Sequence, residues 1–395
     1  MSSRETVAGH LTEEGLERFA EVAGAHVGDD KVPGLVALVA CGDEVHVEAL
    51  GSLSIGGPPV RRDSLYRIAS TTKPITGAAT LVLAGEGLFS LDEPVGRLLP
   101  EMAELRVLRD MSGPLDDTVP AARPVTVRDL LTFTHGFGAC LDMFMAEEPW
   151  PIVTAAADGH LATLGPPDPA EQPDPDTWIA TLGSLPLMAQ PGEKWLYNTG
   201  AQVLGVLGSR AAGVPLDVVL RTRIFEPLGM RQTAFYATDV SRLATSYVPT
   251  VDGLQVWDEP DGRWSRAPVF GDAAAGLVST VDDLLAFARM LLRDGGPVLT
   301  PDAAGAMTRD QLTPEQRSPD MAAFLGDRSW AYCQSVTVTG ERAGSFGWDG
   351  GLGTSWHVDP VRDLTVIVLT QRQFETAQPP QVHVDLQTAA YAALA

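Results

Sequence analysis

A serine and a lysine three residues apart lie in the stretch YRIASTTKPITGAAT at residues 66–80. The chain has 28 basic residues but only three lysines, so Lys73 stands out. Pro74 would cost about 3 kcal/mol inside a helix but is tolerated in the first turn, where backbone N–H groups lack partners. We therefore expect a helix to begin at about Ser70, with Lys73 on the same face as Ser70.

This pair could carry out nucleophilic catalysis. A serine hydroxyl is a weak nucleophile until a neighbouring base takes its proton. A lysine amine can be that base if burial or a nearby cation lowers its pKa toward neutrality, whereas arginine cannot lose its proton. The alternative is that Ser70 caps a helix while Lys73 is solvated. Because S-x-x-K is common by chance, the pattern alone leaves both interpretations open.

Longer motifs resemble those of the serine β-lactamase and penicillin-binding-protein superfamily, whose nucleophile motif is S-x-x-K at a helix start. The chain is most similar to class C β-lactamases and family VIII carboxylesterases, with the related D-aminopeptidases and acyltransferases. The matching stretches, in the family's order over roughly residues 30–370, are SLYRIASTTKPITGAATLVLAGEGLFSLDEPVGRLLPE, VTVRDLLTFTHGF, QPGEKWLYNTGAQVLG, RIFEPLGMRQTAF, AAGLVSTVDDLLAFARMLL and GWDGGLGTSWHVDP. The resemblance implies an acyl-enzyme on Ser70.

The family's second element is a tyrosine in a Y-x-N-like motif, and by resemblance it maps onto Tyr197 in WLYNTG. A phenol near two cations can ionise, accept the serine proton and pass it to the leaving group. The usual asparagine is replaced by Thr199, and Asn198 lies one residue early. We expect Tyr197 to be catalytic together with Lys73, and Asn198 is a candidate for substrate binding. The alternative for Tyr197 is a packed aromatic residue after a Pro-Gly turn.

The family's third element is K-T-G or H-x-G on a strand, and its best match is Trp348-Asp349-Gly350. By this resemblance we expect these three residues and Gly351 to bind substrate or the oxyanion. Glycine there lets substrate pass close to the strand. A backbone N–H near Gly350 and Gly351, with that of Ser70, would form an oxyanion hole, in which each donor contributes on the order of 10²–10³ in rate. In β-lactamases the cation of this motif helps to hold the drug's carboxylate. A tryptophan there favours a neutral, apolar ester, although it could also be a core residue.

The order of elements predicts the fold. Apolar runs that flank Gly42-Asp43 indicate a hairpin near the start, helical patterns fill the middle, and strands followed by a helix close the chain. Strands at both ends that must pair across a helical middle imply one antiparallel sheet. We predict an α/β (α+β) protein with the serine β-lactamase-like fold. Residues 1–75 and 275–395 would form the sheet domain and residues 76–274 a mostly helical domain, with the site at their interface.

Several local signals sharpen this prediction. Residues 158–177 are rich in proline and aspartate, which predicts a long surface loop or a lid over the site. Thr126 is a plausible N-cap, as is Ser279 or Thr280. The other expected helices span residues 11–27, 70–87, 199–213, 215–230 and 380–394.

Composition limits the possible partners. The net charge of −23 disfavours nucleic acid and anionic membranes, and an acidic surface is most simply explained by solubility. Cys41, Cys140 and Cys333 are far apart, which predicts buried free thiols. The N-terminus lacks the pattern of a secretory signal, and the longest apolar runs are strand-sized. We expect a cytoplasmic monomer or homo-oligomer acting on a small-molecule ester or amide.

Other catalytic motifs are missing from the sequence. It has no G-x-S-x-G nucleophile elbow and no H-E-x-x-H zinc motif. We therefore expect no metal and no organic cofactor. The predicted function is a serine hydrolase, most simply a carboxylesterase for small or medium acyl esters. The alternatives are an acyltransferase that uses an alcohol or amine, a β-lactamase or D-aminopeptidase, and a non-catalytic sensor that becomes acylated without turnover.

Overall fold

The structure is a computed structural model that describes residues 9–317 and 319–395. Its strands are β1 (Gly34–Cys41), β2 (Glu44–Gly51), β3 (Tyr66–Arg67), β4 (Arg106–Leu108), β5 (Thr118–Pro120), β6 (Ser246–Thr250), β7 (Gly253–Asp258), β8 (Val278–Ser279), β9 (Arg328–Trp330), β10 (Ser335–Thr337), β11 (Phe346–Gly350), β12 (Thr354–Asp359) and β13 (Leu364–Thr370).

Most of the helices lie between β3 and β9. The α-helices are α1 (Glu13–Ala25), α2 (Thr72–Gly85), α3 (Val127–Leu131), α4 (Leu141–Met145), α5 (Pro151–Asp158), α6 (Pro175–Ser184), α7 (Thr199–Ala212), α8 (Leu216–Leu220), α9 (Glu226–Leu228), α10 (Val281–Leu292), α11 (Pro301–Met307), α12 (Pro319–Leu325) and α13 (Gln381–Ala392). A 3₁₀ turn at Ala69–Thr71 runs directly into α2.

One antiparallel sheet of seven strands is built from both ends of the chain. Its strand order is β2-β1-β13-β12-β11-β10-β9, so the N-terminal hairpin pairs with strands from the last seventy residues. The β1–β13 pairing runs from Leu35 opposite Thr370 to Cys41 opposite Leu364. The predicted fold class and the antiparallel sheet from both chain ends are therefore confirmed. The predicted domain boundaries stay a prediction.

Strands β1 and β13 are apolar along their whole length because both faces of the sheet are covered. Alternate side chains of β1, such as Leu35 and Val39, pack in a cluster with α1 and α13. The intervening side chains, such as Val36 and Leu38, join the main core with α2, α7 and α10. Every residue of both strands is buried. Within this core, α10 packs on the sheet and α2 packs against α7.

Most local predictions are confirmed. Helix α1 begins after the cap Thr12, and Gly42 turns the β1–β2 hairpin in a left-handed conformation. Thr126 caps α3 in a capping box with Asp129, and Thr280 caps α10. The sequence pattern did not indicate α11, α12 or the short pairs β4–β5 and β6–β7. Cys140 is half-buried, so the expectation of a buried thiol is wrong at that position.

Residues 158–177 are not a simple surface loop. The segment is largely irregular between α5 and α6, but Leu161, Thr163 and Gln172 are almost fully buried. The Asn198 side-chain amide donates to the Thr163 carbonyl at 2.8 Å, so the segment packs against the start of α7. The surface-loop prediction is wrong for these buried side chains, because they complete the packing behind residues 197–199. A lid motion stays a hypothesis.

No single helix of the described residues is long and apolar enough to cross a membrane. Thr199–Ala212 and Leu216–Leu228 together reach the required length and composition, but they are bent by 82° at the break between them.

Candidate active site

Ser70 lies in the 3₁₀ turn that precedes α2, as the position of Pro74 predicted. The residue before it, Ala69, has a left-handed backbone with a φ of 43°, a conformation that is unfavourable for residues other than glycine. Strain of this kind persists only where the surroundings impose it, and it is common at functional sites. Ser70 itself is partly exposed, whereas its neighbours are buried. The turn therefore presents one hydroxyl to solvent from a packed helix start.

Lys73 contacts Ser70 directly. Its Nζ donates to Ser70 Oγ at 2.9 Å and to the Ala274 carbonyl at 3.0 Å, and the side chain is fully buried. Burial lowers the pKa of Lys73 from 10.5 to about 7, although Asp272 and Cys333 act in the opposite direction. A substantial fraction of the amine is therefore neutral near pH 7. A neutral amine at this distance can take the serine proton.

Tyr197 faces the same serine from a strand-like segment before α7. Its backbone exchanges hydrogen bonds with Ala139, and Asn198 immediately after it has a φ of 85°. Lys73 Nζ lies 4.6 Å from the centre of the phenol ring. Burial raises the pKa of Tyr197 well above its usual range, and hydrogen bonds with Ser70 and Trp348 oppose that effect only in part. Burial therefore works against the ionised phenol that nearby cations were expected to favour, and the part that Tyr197 plays in proton transfer stays a prediction.

Trp348 reaches this hydroxyl from β11. Its indole Nε1 donates to the Tyr197 hydroxyl at 2.7 Å. Trp348 thus provides a hydrogen-bond donor to the phenol from the place where related enzymes are expected to carry a cation. Two residues along, a Cβ on Gly350 would clash with the Ile68 carbonyl oxygen, so the glycine lets β11 approach the turn that holds Ser70.

The Asp349 side chain lies on the opposite face of the sheet, because successive side chains of a strand alternate. Its Oδ1 lies 3.0 Å from His357 Nε2, and its Oδ2 lies 3.6 Å from Arg328 Nη1. Burial alone would raise the pKa of Asp349, but His357 and Arg328 hold it well below its usual range. The prediction that the Asp349 side chain binds substrate is therefore wrong. The carboxylate instead braces β11 from behind Trp348.

The remaining candidates contribute mainly backbone. The Asn198 side-chain amide donates to the Thr163 carbonyl, and its role in substrate binding stays a prediction. Gly351 lies in open space at the end of β11, and its carbonyl accepts from the Phe374 N–H at 2.9 Å. The oxyanion hole formed by the N–H of Ser70 with that of Gly350 or Gly351 stays a prediction. Within residues 9–317 and 319–395, no group of three or more His, Cys, Asp or Glu side chains could hold a metal ion.

An aromatic cluster surrounds the Tyr197 ring, and the catalytic motifs did not reveal most of it. Ring centres within 6.2 Å of the Tyr197 ring belong to Phe133, Trp195, Phe324, Trp330 and Trp348. Trp195 could have been suspected from its position two residues before the tyrosine. The others come from distant parts of the sequence and carry no local signal.

A narrow cavity opens beside this cluster, between α4 and α12. It is lined mainly by apolar side chains, including Phe144 of α4 and Met321 and Phe324 of α12, and Tyr197 forms part of its wall. Lys194 is the charged residue of the lining. The cavity beside Tyr197 therefore suits an apolar group better than a strongly charged one.

Comparison with known proteins agrees with this geometry. A family model described as β-lactamase matches residues 19–389. Protein Rv1367c of Mycobacterium tuberculosis is 36% identical over 335 residues, which are 80% of this chain and 79% of that protein. Esterase EstB of Burkholderia gladioli is 31% identical over 388 residues, which cover 92% of this chain and 91% of the esterase.

Two further similarities are more distant. Acyltransferase calJ of Penicillium decumbens is 27% identical over 373 residues, which cover 87% of this chain and 83% of that protein. The solved structure of EstCE1, described as a hydrolase with promiscuous acyltransferase activity, has a TM-score of 0.80 at 23% identity and covers 96% of this chain and 99% of its own. The matched family and the similarity to Esterase EstB confirm the serine-hydrolase prediction, and the EstCE1 structure confirms the predicted fold. The chain belongs to the β-lactamase family.

Proposed function

We propose that this protein is a carboxylesterase that forms an acyl-enzyme on Ser70. Ser70 Oγ attacks the ester carbonyl carbon while Lys73 Nζ takes the hydroxyl proton. The oxyanion that forms is held by backbone N–H groups, and its collapse breaks the bond to the alcohol oxygen. That oxygen receives a proton from the Lys73 ammonium, either directly or through the Tyr197 hydroxyl. Water then adds to the acyl-enzyme in the same way and releases the acid.

The observation that carries this proposal is the hydrogen bond from Lys73 Nζ to Ser70 Oγ at 2.9 Å, made by an amine whose pKa burial lowers to about 7. A base with a pKa near the operating pH combines a useful neutral fraction with sufficient basicity. The neutral Tyr197 hydroxyl suits a proton relay better than an independent base. We therefore propose different roles in proton transfer for Lys73 and Tyr197, which could not be distinguished from the sequence.

The substrate class follows from the residues around Tyr197. Trp348 supplies an uncharged donor where a β-lactamase would use a cation, and the cluster beside it is aromatic. An apolar acyl group gains about 25 cal/mol per Å² of surface removed from water, whereas a carboxylate would lose hydration there. A neutral ester with a small or medium acyl chain therefore suits the site better than a β-lactam acid.

Acyl transfer is the second candidate. The aromatic side chains around Tyr197 offer an apolar surface to an acceptor alcohol beside an acylated Ser70. Under these conditions an apolar alcohol competes with water for the acyl group. The acyltransferase similar to this chain supports keeping this candidate.

A panel of substrates tests the proposal. p-Nitrophenyl esters of increasing acyl length should be turned over continuously by the wild type and not by Ser70→Ala. Nitrocefin and a D-alanyl peptide should be poor substrates. An added alcohol that increases nitrophenol release and yields a new ester would identify transfer. A single burst with a stable adduct would contradict the enzyme proposal and indicate a sensor.

A further inference from the structure

A buried carboxylate lies behind the catalytic lysine, in the turn between β7 and β8. Asp272 is 2% exposed, yet it accepts four hydrogen bonds. Its Oδ1 accepts from the backbone N–H groups of Ala274 at 2.8 Å and Ala275 at 3.1 Å. Its Oδ2 accepts from the side-chain amides of Gln202 at 2.9 Å and Gln172 at 3.2 Å. A buried carboxylate is tolerated when donors of this kind satisfy it.

Ala274 connects this carboxylate to the lysine. Its N–H donates to Asp272, while its carbonyl accepts from Lys73 Nζ at 3.0 Å. The neighbouring Ala273 carbonyl accepts from Thr76 Oγ1 at 2.6 Å, which ties the same turn to α2. The position of the oxygen that holds Lys73 is therefore set by the turn that Asp272 closes.

The two glutamines bring in other parts of the site. Gln202 is on α7, five residues after Tyr197, and Gln172 belongs to the proline-rich segment 158–177. Each amide places its nitrogen toward Asp272, and each Oε1 is without a hydrogen-bond partner among the described residues. A carboxylate oxygen can only accept, so it fixes the orientation of both amides.

We infer that Asp272 is a positioning residue for the base, since it fixes the Ala274 carbonyl against Lys73 Nζ and places a negative charge behind the ammonium form. This inference rests on the proposed acyl-enzyme chemistry at Ser70. Where related enzymes have the asparagine of the Tyr-x-Asn motif, this chain has Thr199. Asp272 and its two glutamines provide polar support for the lysine from the other side.

The charge of Asp272 acts against the effect of burial. Burial lowers the pKa of Lys73, and Asp272 is the larger of the two influences that raise it again. The other is the Cys333 thiol, whose pKa burial raises far above neutrality. Burial also raises the pKa of Tyr197, so that group and Cys333 are neutral near pH 7. Of these three groups, Asp272 is the one that most strongly opposes the effect of burial on Lys73.

The test is the pH dependence of acylation in Asp272→Asn, measured in the full chain as the rate of Ser70 labelling by a fluorophosphonate probe. Removing a negative charge near an amine should lower the pKa of Lys73 and move the acid limb of the labelling rate to lower pH by about one unit. Gln202→Met keeps the carboxylate but removes one donor. Because the charge remains, it should move the acid limb by less than Asp272→Asn does, and it should lower the labelling rate above the limb since the turn that positions Lys73 is loosened. If Asp272→Asn does not fold, an unchanged labelling rate in Gln202→Met would count against the inference.

Asp283→Asn is the matched control. Asp283 is also a buried carboxylate that accepts from a backbone N–H and a side chain, those of Gln232 and Thr233, but it is not among the groups that act on Lys73. This control should lose stability and leave the acid limb in place. An unchanged acid limb in folded Asp272→Asn, or the same movement in Asp283→Asn, would overturn the inference.

The labelling assay separates this inference from the proposed function. Labelling of Ser70 needs the activated serine but not a suitable ester. If the wild type is labelled with an acid limb near pH 7 but turns over no ester, the proposed function is contradicted. The inference can still be tested by labelling. Ester turnover by the wild type, together with an acid limb at the same pH in Asp272→Asn, contradicts only the inference.

Discussion

Replacing Lys73 by methionine should abolish catalysis and stabilise the protein at neutral pH. Burial lowers the pKa of Lys73 from 10.5 to about 7. One pKa unit corresponds to about 1.4 kcal/mol, so the fold disfavours the ammonium form by roughly 4–5 kcal/mol. Methionine fills a similar volume without this cost, but it loses the hydrogen bonds to Ser70 and Ala274, each of which contributes about 1 kcal/mol. We expect Lys73→Met to be about 2 kcal/mol more stable than the wild type at pH 7.

The pH dependence of this difference identifies its cause. Between pH 7 and pH 10.5 the unfolded lysine binds more protons than the folded one, so the wild type gains stability as the pH rises. Lys73→Met has no titrating group at this position, so its stability does not rise with pH for this reason. The advantage of Lys73→Met should therefore fall by roughly 2 kcal/mol between pH 7 and pH 9.

Denaturant unfolding, followed by tryptophan fluorescence, measures this difference at both pH values. Most other titrating groups are the same in both proteins and cancel when the two free energies of unfolding are subtracted. Lys31→Met is the matched control because Lys31 is exposed, and its difference from the wild type should not change with pH in this way. If the Lys73→Met difference is the same at pH 7 and pH 9, the lysine is not desolvated, and the argument for its role as base fails.

The remaining predictions concern activity. The wild-type kcat/KM should decrease as the pH is lowered, with a midpoint near pH 7, because protonated Lys73 cannot act as base. A midpoint at pH 5 would point to another group. Lys73→Arg should be as inactive as Lys73→Ala, since a guanidinium keeps its proton. If Lys73→Arg kept most of the rate, Lys73 would supply only a positive charge and would not act as base. Ser70→Ala should lose fluorophosphonate labelling with an unchanged circular dichroism spectrum, and labelling at the wild-type level would exclude Ser70 as nucleophile. Trp348→Phe should lower kcat/KM by roughly 10–100-fold because the buried Tyr197 hydroxyl loses its donor, a cost of about 1–3 kcal/mol; Trp356→Phe, on the next strand, should change it little, and equal effects would remove the special role of Trp348.

The parts of the site that follow from local chemistry could be predicted from the sequence. Proline in a first helical turn set the start of α2, and the spacing of three residues then placed Ser70 and Lys73 on one face. The antiparallel sheet followed from apolar runs at both ends of the chain. These signals act within a few residues, or through burial of a whole strand, so they do not depend on the details of tertiary packing.

The error at Asp349 came from treating three adjacent residues of a strand as one site. Alternation already requires the neighbour of Trp348 to point to the other face. Once Trp348 faces Tyr197, the Asp349 carboxylate must find a partner behind the sheet, which it does in His357 and Arg328. This part of the site could have been predicted by applying the strand period to the motif itself.

Asp272, Phe324 and Trp330 could not have been predicted in this way. Each reaches the site through contacts between residues far apart in the chain, such as the 201 positions that separate Lys73 from Ala274. The sequence around Asp272, GDAAAG, contains only a turn signal. Nothing in that signal says that the carboxylate is buried or that two glutamines converge on it.

The environment of Lys73 balances two requirements of the proposed reaction. The amine must be neutral to accept the Ser70 proton, and burial provides this by disfavouring the ammonium form. It must then carry that proton until the alcohol leaves, and the negative charge of Asp272 supports the ammonium form during that interval. Because four other donors hold the Asp272 carboxylate, loss of the lysine proton leaves no carboxylate oxygen without a partner. Lys73 can therefore cycle between its two forms without rearrangement of the turn that positions it.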